Sequence, residues 1–354
     1  MDRIAALAGE RRVGLFANHT ATTGKKHLLD TLLSRGVRVT KIFSPEHGFR
    51  GDADAGETVP GSTDSKTGIP IISLYGPNKK PTTDQLADVD VVFFDMQDIG
   101  VRFFTYISSL HYMMEACARD NKPLVILDRP NPNSGYVDGP VLQPAFKSFV
   151  GMHPVPIVHG MTIGEYARMV NGEGWLEGGK PCNLQVVEVK NWKHGEPWHV
   201  SIKPSPNLPN DHAIRLYPST CLFEGTVLSI GRGTMSPFEQ AGHPSLRGKF
   251  DHTFTPVSIP GMAKTPVLQD QVCYGIDFRK DPPTNFINLD YLISLYQAFP
   301  EKDKFFNTYI DKLAGTAELK DQIIKGVPSA TIRAGWKKDL EAFGKIRAKY
   351  LLYP

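Results

Sequence analysis

The chain has 354 residues, of which 41% are hydrophobic and 22% are charged, and its formal net charge at pH 7 is +3. This length allows one large or two medium domains, each with a well-buried core. Because the charge is small and no long basic run occurs, the composition argues against nucleic-acid binding. No apolar stretch of about 18 residues occurs, so we expect no membrane span.

The first half of the chain alternates strand and helix patterns. Short apolar runs predict strands at 11–18, 37–44, 69–76, 90–95, 123–128 and 184–189. Helical patterns lie between them at 27–36, 82–89, 105–121 and 162–174. Continuous apolar strands between helices are typical of a parallel sheet that is covered on both faces. We therefore predict an α/β fold with a Rossmann-like, doubly wound, mostly parallel sheet.

The pattern changes after a segment at 203–212 that is dense in proline and asparagine. Mixed strands and loops follow, and then helical patterns near 289–299, 304–314, 317–325 and 330–352. The sequence thus predicts a first domain at 1–210 and a smaller α+β domain at 211–354. The four cysteines form no C-x-x-C pair, which argues against a zinc ribbon. Buried free thiols are the expected state, although a disulfide stays open.

Polar residues follow four of the predicted strands. In open parallel sheets, ligands bind beyond the carboxyl ends of the strands, so these residues should meet at one rim. They are Asn18 after the first strand, Glu46 and His47 after the second, Asp95, Gln97, Asp98, Arg102 and Tyr106 after the fourth, and Arg129 and Asn131 after the fifth.

Several chemistries are possible at such a rim, and motifs exclude some of them. The stretch "GDADAGET" at 51–58 has P-loop spacing, but Glu57 stands where the motif requires Lys, and an acidic side chain there would repel phosphate. No G-x-G-x-x-G follows the first strand, so we expect no nucleotide cofactor. The chain has no G-x-S-x-G elbow and no H-E-x-x-H motif. A cation held by Asp95, Asp98 and His47 stays an alternative.

Carboxylate acid/base chemistry fits the rim best. Glycoside cleavage needs a carboxylic acid that protonates the leaving oxygen and a partner that stabilises an oxocarbenium-like centre. Glu46 follows an apolar strand and stands between Phe43 and Phe49 in the sequence, so we expect desolvation to favour its protonated form. Asp95 and Asp98 are the candidate partners.

The sequence resembles the NamZ-type exo-β-N-acetylmuramidases along nearly its whole length. The motifs that carry the resemblance are, in order, "FSPEHGFRGDADAGE", "ISLYGPNKKPT", "FFDMQDIGVRFFTYISSLHYMMEA", "VILDRPNPNSG", "SFVGMHPVPIVHGMTIGEYA", "PSPNLPN", "YPSTCLFEGTVLSIGRGTMSPFEQAGHP" and "YLLYP". The resemblance implies release of terminal N-acetylmuramic acid from the non-reducing end of peptidoglycan fragments, in cell-wall turnover. It also implies a Rossmann-like catalytic domain, an auxiliary domain that closes a cleft, and no cofactor.

The resemblance also assigns site residues. Glu46 of the PEHG motif becomes the leading acid/base, with Asp95 or Asp98 as base or nucleophile unless the acetamido group of the substrate attacks. We expect one of Arg102, Arg129 and Arg232 to bind the lactyl carboxylate. The predicted substrate-binding set is Asn18, His47, Gln97, Arg102, Tyr106, Arg129, Asn131, His159, Glu224 and Arg232.

Two other functions stay open at the level of sequence: a non-catalytic protein that binds muropeptides or sugars, and a metal-dependent hydrolase. The expected partner is a muropeptide or disaccharide from peptidoglycan. We expect a periplasmic or secreted location with a signal peptide that this sequence lacks. The oligomeric state is left open.

Overall fold

The computed structural model describes residues 2–46, 48–49 and 62–354. The predictions for His47 and for the stretch at 51–58 lie outside these residues. The strands are β1 (Val13–Ala17), β2 (Thr22–Thr23), β3 (Lys26–His27), β4 (Val39–Ser44), β5 (Ser62–Thr63), β6 (Pro70–Ser73), β7 (Val91–Asp95), β8 (Leu124–Leu127), β9 (Leu184–Val187), β10 (Gln240–His243), β11 (His252–Phe254) and β12 (Cys273–Asp277).

Helices surround these strands. They are α1 (Asp2–Ala8), α2 (Leu28–Leu33), α3 (Thr83–Leu86), α4 (Tyr106–Arg119), α5 (Ile163–Gly172), α6 (Asp211–Thr220), α7 (Asp290–Ala298), α8 (Lys302–Phe305), α9 (Ile310–Ala314), α10 (Glu318–Ile324), α11 (Ser329–Gly335) and α12 (Lys337–Arg347). None of the helices in the described part of the chain has the length and apolarity that a bilayer crossing requires.

The main sheet has seven strands in the order β5-β6-β4-β1-β7-β8-β9. All neighbours pair in parallel except β5, which runs antiparallel to β6. The six parallel strands therefore have the Rossmann order, with the switch of direction between β1 and β7. Every residue of β1, β7 and β8 is buried, which is why these strands read as unbroken apolar runs. The predicted fold class is confirmed.

The crevice at the switch point is filled by a polar network of the chain itself. Thr20 donates its hydroxyl to Asn18 Oδ1 at 2.6 Å. The same hydroxyl oxygen accepts a hydrogen bond from the backbone N–H of Gln97 at 2.9 Å. The loops after β1 and β7 are thus tied to each other where a Rossmann fold usually receives its ligand.

The sheet has an apolar core on each face. The smaller core packs Leu28, Leu29 and Leu32 of α2 against β1 and β4. The larger core includes α4 and α5 and continues without a break into the C-terminal helices, as far as Phe343 of α12. This continuity leaves the boundary at residues 210 and 211 a prediction.

The second half of the chain contains the predicted smaller α+β unit. Its antiparallel sheet has three strands in the order β10-β12-β11. The single helix predicted at 304–314 is wrong, because Asn307 separates α8 from α9. The Asn307 side chain accepts from the backbone N–H of Tyr309 at 2.8 Å and donates to the carbonyl of Thr226 at 2.9 Å. These bonds replace helical ones.

The C-terminal tail returns to the first half of the chain. Tyr353 donates its hydroxyl to Asp128 Oδ2 at 2.6 Å, and the backbone N–H of Leu352 donates to Glu165 Oε1 at 2.8 Å. Glu165 also completes a capping box with Thr162 at the start of α5. The end of the chain is therefore part of the packing around the main sheet.

Candidate active site

A cavity of about 390 Å³ lies beyond the carboxyl ends of β4, β6 and β7. Residues from both halves of the chain line it. They are Glu46, Tyr75, Gly76, Lys79, Phe103, Phe104, Thr105, Tyr106, Phe149, Val150, Ser205, Tyr217, Glu224, Arg232 and Tyr309. Its mixture of aromatic rings and a few charged groups is typical of a site for a small polar ligand with apolar faces.

Glu46 lies on the turn after β4 and is half-buried in the cavity wall. Thr105, at the start of α4, donates its hydroxyl to Glu46 Oε2 at 3.2 Å. Tyr75, just after β6, forms a second side-chain hydrogen bond with Glu46. Burial, together with the negative charge of Glu46, raises the pKa of Tyr75, so the phenol keeps its proton and donates it. Two hydroxyls therefore orient this carboxyl group.

Phe43 and Phe49, the aromatic residues near Glu46 in the sequence, do not line the cavity. They lie in the apolar cores on the two faces of the sheet. The aromatic wall is formed by residues that include Tyr75, Phe104 and Tyr106, and the ring centres of the last two are 4.7 Å apart.

A second carboxylate faces the cavity from the C-terminal half. Glu224 Oε1 accepts from both Nε and an Nη of Arg232 at 2.7 Å. The guanidinium also stands 4.9 Å from the centre of the Phe238 ring. Burial opposes the charge on Arg232, but Glu224 outweighs it, and the pKa of Arg232 is raised. The cavity therefore holds an internally neutral pair beside Glu46.

Tyr106 connects the cavity to the network at the switch point. Its hydroxyl donates to the carbonyl of Pro204 and accepts from Asn18 Nδ2, both at 2.8 Å. Asn18 is fully buried and does not line the cavity. It acts on the cavity through Tyr106.

Asp95 and Arg129 were both predicted to contact the substrate, but here they bind each other. Arg129 Nη2 donates to Asp95 Oδ2 at 2.9 Å, and Nε donates to Oδ1. Asp95 is 3% exposed, and neither residue lines the cavity. Each satisfies the charge of the other at the edge of the sheet.

Asp98, Gln97 and Asn131 build the loops behind the cavity rather than its wall. Gln97 Nε2 donates to the carbonyls of Asp98 and Pro130 at 2.7 and 2.8 Å. Asn131 Nδ2 donates to the carbonyl of Met161 at 3.0 Å. Asp98 Oδ2 accepts from a backbone N–H, and Oδ1 has no partner among the described residues. Burial, with the nearby charge of Asp128, raises the pKa of Asp98 to about 7.

Arg102 is fully buried and does not line the cavity. It donates to four backbone carbonyl oxygens at 2.7–2.8 Å, and these belong to Pro140, Val155, Leu313 and Ala314. The last two lie on α9, so the side chain ties the loop after β7 to the C-terminal half. No sequence pattern indicates this contact, because the acceptors are backbone groups.

His159 is also buried away from the cavity. Its Nδ1 accepts from the backbone N–H of Met161 at 3.3 Å, and its ring packs 4.8 Å from the ring of Tyr166. Burial lowers the pKa of His159 to about 3, so the imidazole is neutral. His159 was predicted to bind the substrate, but in the structure it contacts the backbone and does not line the cavity.

Two family models together match almost the whole chain. The one described as exo-beta-N-acetylmuramidase NamZ, N-terminal, matches residues 13–212, and its C-terminal counterpart matches residues 215–353. The chain belongs to the NamZ exo-β-N-acetylmuramidase family. A Bacillus subtilis protein named peptidoglycan beta-N-acetylmuramidase NamZ is 38% identical, over 97% of this chain and 87% of that protein.

Crystal structures of two DUF1343 family proteins from Bacteroides fragilis have the same fold as this NamZ family member. One is 46% identical with a TM-score of 0.92 and covers 98% of this chain and 95% of that chain. The other is 30% identical with a TM-score of 0.84 and covers 100% of this chain and 97% of that chain.

The cavity of this NamZ family member brings together four of the predicted site residues: Glu46, Tyr106, Glu224 and Arg232. His47 lies outside the described residues. The others do not line the cavity, and they are Asn18, Asp95, Gln97, Asp98, Arg102, Arg129, Asn131 and His159. Within the described ranges, no group of three or more His, Cys, Asp or Glu residues is arranged to hold a metal ion. All four cysteines are free and buried.

Several lining residues were not predicted: Lys79, Thr105, Phe149 and Tyr309. Lys79 follows β6, a strand whose carboxyl end is not followed by a carboxylate in the sequence. The strand-end rule, applied to every strand, would have found it.

Proposed function

We propose that the protein is an exo-acting glycoside hydrolase that releases terminal N-acetylmuramic acid from the non-reducing end of peptidoglycan fragments. The observation that carries this proposal is the oriented carboxyl group of Glu46 in an aromatic-lined cavity of a NamZ family member. Such a cavity suits a sugar ring, and such a carboxyl group suits protonation of a glycosidic oxygen.

Glu46 is the proton donor in this proposal. Thr105 and Tyr75 hold its carboxyl group in one orientation, and a fixed orientation matters because proton transfer requires hydrogen-bond reach to the leaving oxygen. The aromatic side chains around it exclude water from the apolar face of the sugar.

Glu224 replaces Asp95 and Asp98 as the second carboxylate in this proposal. Asp95 is engaged by Arg129, and Asp98 is buried behind the cavity, whereas Glu224 lines it. Arg232 pairs with Glu224 and orients it, so the carboxylate can stabilise positive charge that develops at the anomeric carbon. Attack by the acetamido group of the substrate stays the alternative for forming the intermediate.

The substrate also suggests where the protein works. Peptidoglycan lies outside the cytoplasmic membrane, so we propose a periplasmic or secreted location and a role in cell-wall turnover. The proposed partner is a muropeptide or disaccharide fragment.

The test uses the purified chain and a chromogenic β-glycoside of N-acetylmuramic acid. We expect the parent to release the chromophore and Glu46→Gln to lower kcat by roughly 10²–10⁴-fold. Binding of N-acetylmuramic acid by Glu46→Gln should stay close to that of the parent. Glu341→Gln, a change on the exposed side of α12, is the control and should behave like the parent.

Two outcomes would contradict the proposal. Tight binding by the parent without any turnover would favour a sugar-binding protein. Activity that disappears with a chelator and returns with a divalent ion would favour a metal-dependent hydrolase.

A further inference from the structure

One cation of the cavity forms no ion pair within the described part of the chain. The described lining residues with charged side chains are Glu46, Lys79, Glu224 and Arg232. Glu224 and Arg232 pair with each other at 2.7 Å. Lys79 is not in ion-pair contact with either glutamate, and the only hydrogen-bond acceptor of its ammonium group among the described residues is a backbone carbonyl.

The surroundings of Lys79 leave its ammonium group ready for an anion. It lies on the loop between β6 and α3 and is partly exposed. Its Nζ donates to the carbonyl of Gly76 at 2.7 Å and stands 5.2 Å from the centre of the Phe149 ring. An ammonium group has three N–H donors. No carboxylate of the described chain pairs with this one.

The next residue provides a contrast. Lys80 Nζ lies 2.9 Å from both the Glu115 and the Glu177 carboxylates, in a separate pocket. Two adjacent lysines on one loop therefore differ in their partners: Lys80 pairs with two carboxylates, whereas Lys79 faces the cavity and has no carboxylate at ion-pair distance among the residues that the structure describes.

Lys79 belongs to the same wall as Glu46. The Tyr75 hydroxyl hydrogen-bonds to Glu46, and the centre of the Tyr75 ring lies 6.3 Å from the centre of the Phe149 ring. The Lys79 ammonium stands over that Phe149 ring. A sugar placed with its glycosidic oxygen at Glu46 would therefore extend its ring substituents along this wall.

We propose that Lys79 binds the lactyl carboxylate of N-acetylmuramic acid and so selects this sugar over N-acetylglucosamine. This inference rests on the proposed function. It gives Lys79 the role that was predicted for an arginine, because Arg232 is committed to Glu224, and Arg102 and Arg129 do not line the cavity. Lys79 recognises the carboxylate through the charge of a flexible ammonium group, whereas an arginine would bind it through two parallel hydrogen bonds.

The test measures binding by titration calorimetry, which does not depend on turnover. The probes are N-acetylmuramic acid, its lactyl methylamide, which has no carboxylate, and N-acetylmuramoyl-L-alanine, whose carboxylate lies one residue further out. The proteins are the parent, Lys79→Met, Lys79→Arg and the matched control Lys80→Met.

We expect Lys79→Met to weaken N-acetylmuramic acid binding by roughly 10–100-fold, as for loss of a hydrogen bond to a charged group. The methylamide should bind Lys79→Met and the parent equally. Lys79→Arg should recover most of the affinity for the acid, and Lys80→Met should match the parent.

Three results would overturn the inference. Equal weakening of the acid and the methylamide would show that Lys79 only supports the fold of the loop. Loss confined to N-acetylmuramoyl-L-alanine would assign Lys79 to a stem-peptide carboxylate, and no loss would show that it binds neither. A parent that discriminates through Lys79 but never cleaves the glycoside would refute the proposed function while leaving this inference standing.

Discussion

Replacing Arg102 by methionine would show whether this side chain stabilises the fold or binds the substrate. The side chain donates to four buried backbone carbonyls, two of which are on α9. Each hydrogen bond to a charged group contributes about 1.5–3 kcal/mol. The change also relieves the cost of burying the arginine charge, and methionine fills part of the volume. Because four buried carbonyl oxygens would each lose a donor at about 1–3 kcal/mol, and the two effects just named offset part of this cost, we expect Arg102→Met to lower the free energy of unfolding by about 3–5 kcal/mol.

The assay is urea unfolding followed by tryptophan fluorescence, with binding of N-acetylmuramic acid measured on the folded fraction. Arg168→Met is the matched control, because Arg168 Nη1 donates to one carbonyl, that of Tyr350, at 3.2 Å. We expect the control to lose about 1 kcal/mol or less. Unchanged stability of Arg102→Met together with lost binding would refute the reasoning and return Arg102 to the substrate site.

Two other variants test the surroundings of the cavity. Burial raises the pKa of Asp98 to about 7, so the stability that its protonation provides is present below about pH 4 and is lost as the pH rises through 7. Asparagine cannot ionise, so the free energy of unfolding of Asp98→Asn, measured with urea, should rise by about 2 kcal/mol relative to that of the parent as the pH rises from about 5 to about 8. Parallel pH curves for the two proteins would contradict this. Tyr75→Phe removes one donor from Glu46 and should lower kcat roughly 10-fold while KM is nearly unchanged. An unchanged kcat with a raised KM would instead make Tyr75 a substrate-binding group.

The sequence was sufficient for the fold because burial on both faces leaves a strong pattern. The runs "VVFF" in β7 and "LVIL" in β8 have no polar position, which is typical of strands in a parallel sheet that is covered on both faces. Helix boundaries in the C-terminal half were harder. Asn307 ends α8 through hydrogen bonds to Glu224 and Thr226, which lie more than eighty positions away along the chain.

The candidate site was only partly predictable for a different reason. The strand-end rule identifies the edge of the sheet, but polar residues there can bind a ligand or each other. Asp95 and Arg129 bind each other, and only the three-dimensional distance reveals it. Glu46 and Glu224 reach the cavity from distant segments, and the family motifs, rather than periodicity, identified Glu224.

The hydrogen-bond network of Asn18, Thr20 and Gln97 explains how a Rossmann-like fold, which commonly binds nucleotides, can serve carbohydrate chemistry. Phosphate recognition in such scaffolds relies on spare backbone N–H groups at the first turn. Here the backbone N–H groups of Thr20 and Gln97 already donate hydrogen bonds to side-chain oxygens. The loops of the chain itself occupy the crevice between β1 and β7, and the cavity opens beside it, where hydroxyl and aromatic groups after β4 and β6 form the wall.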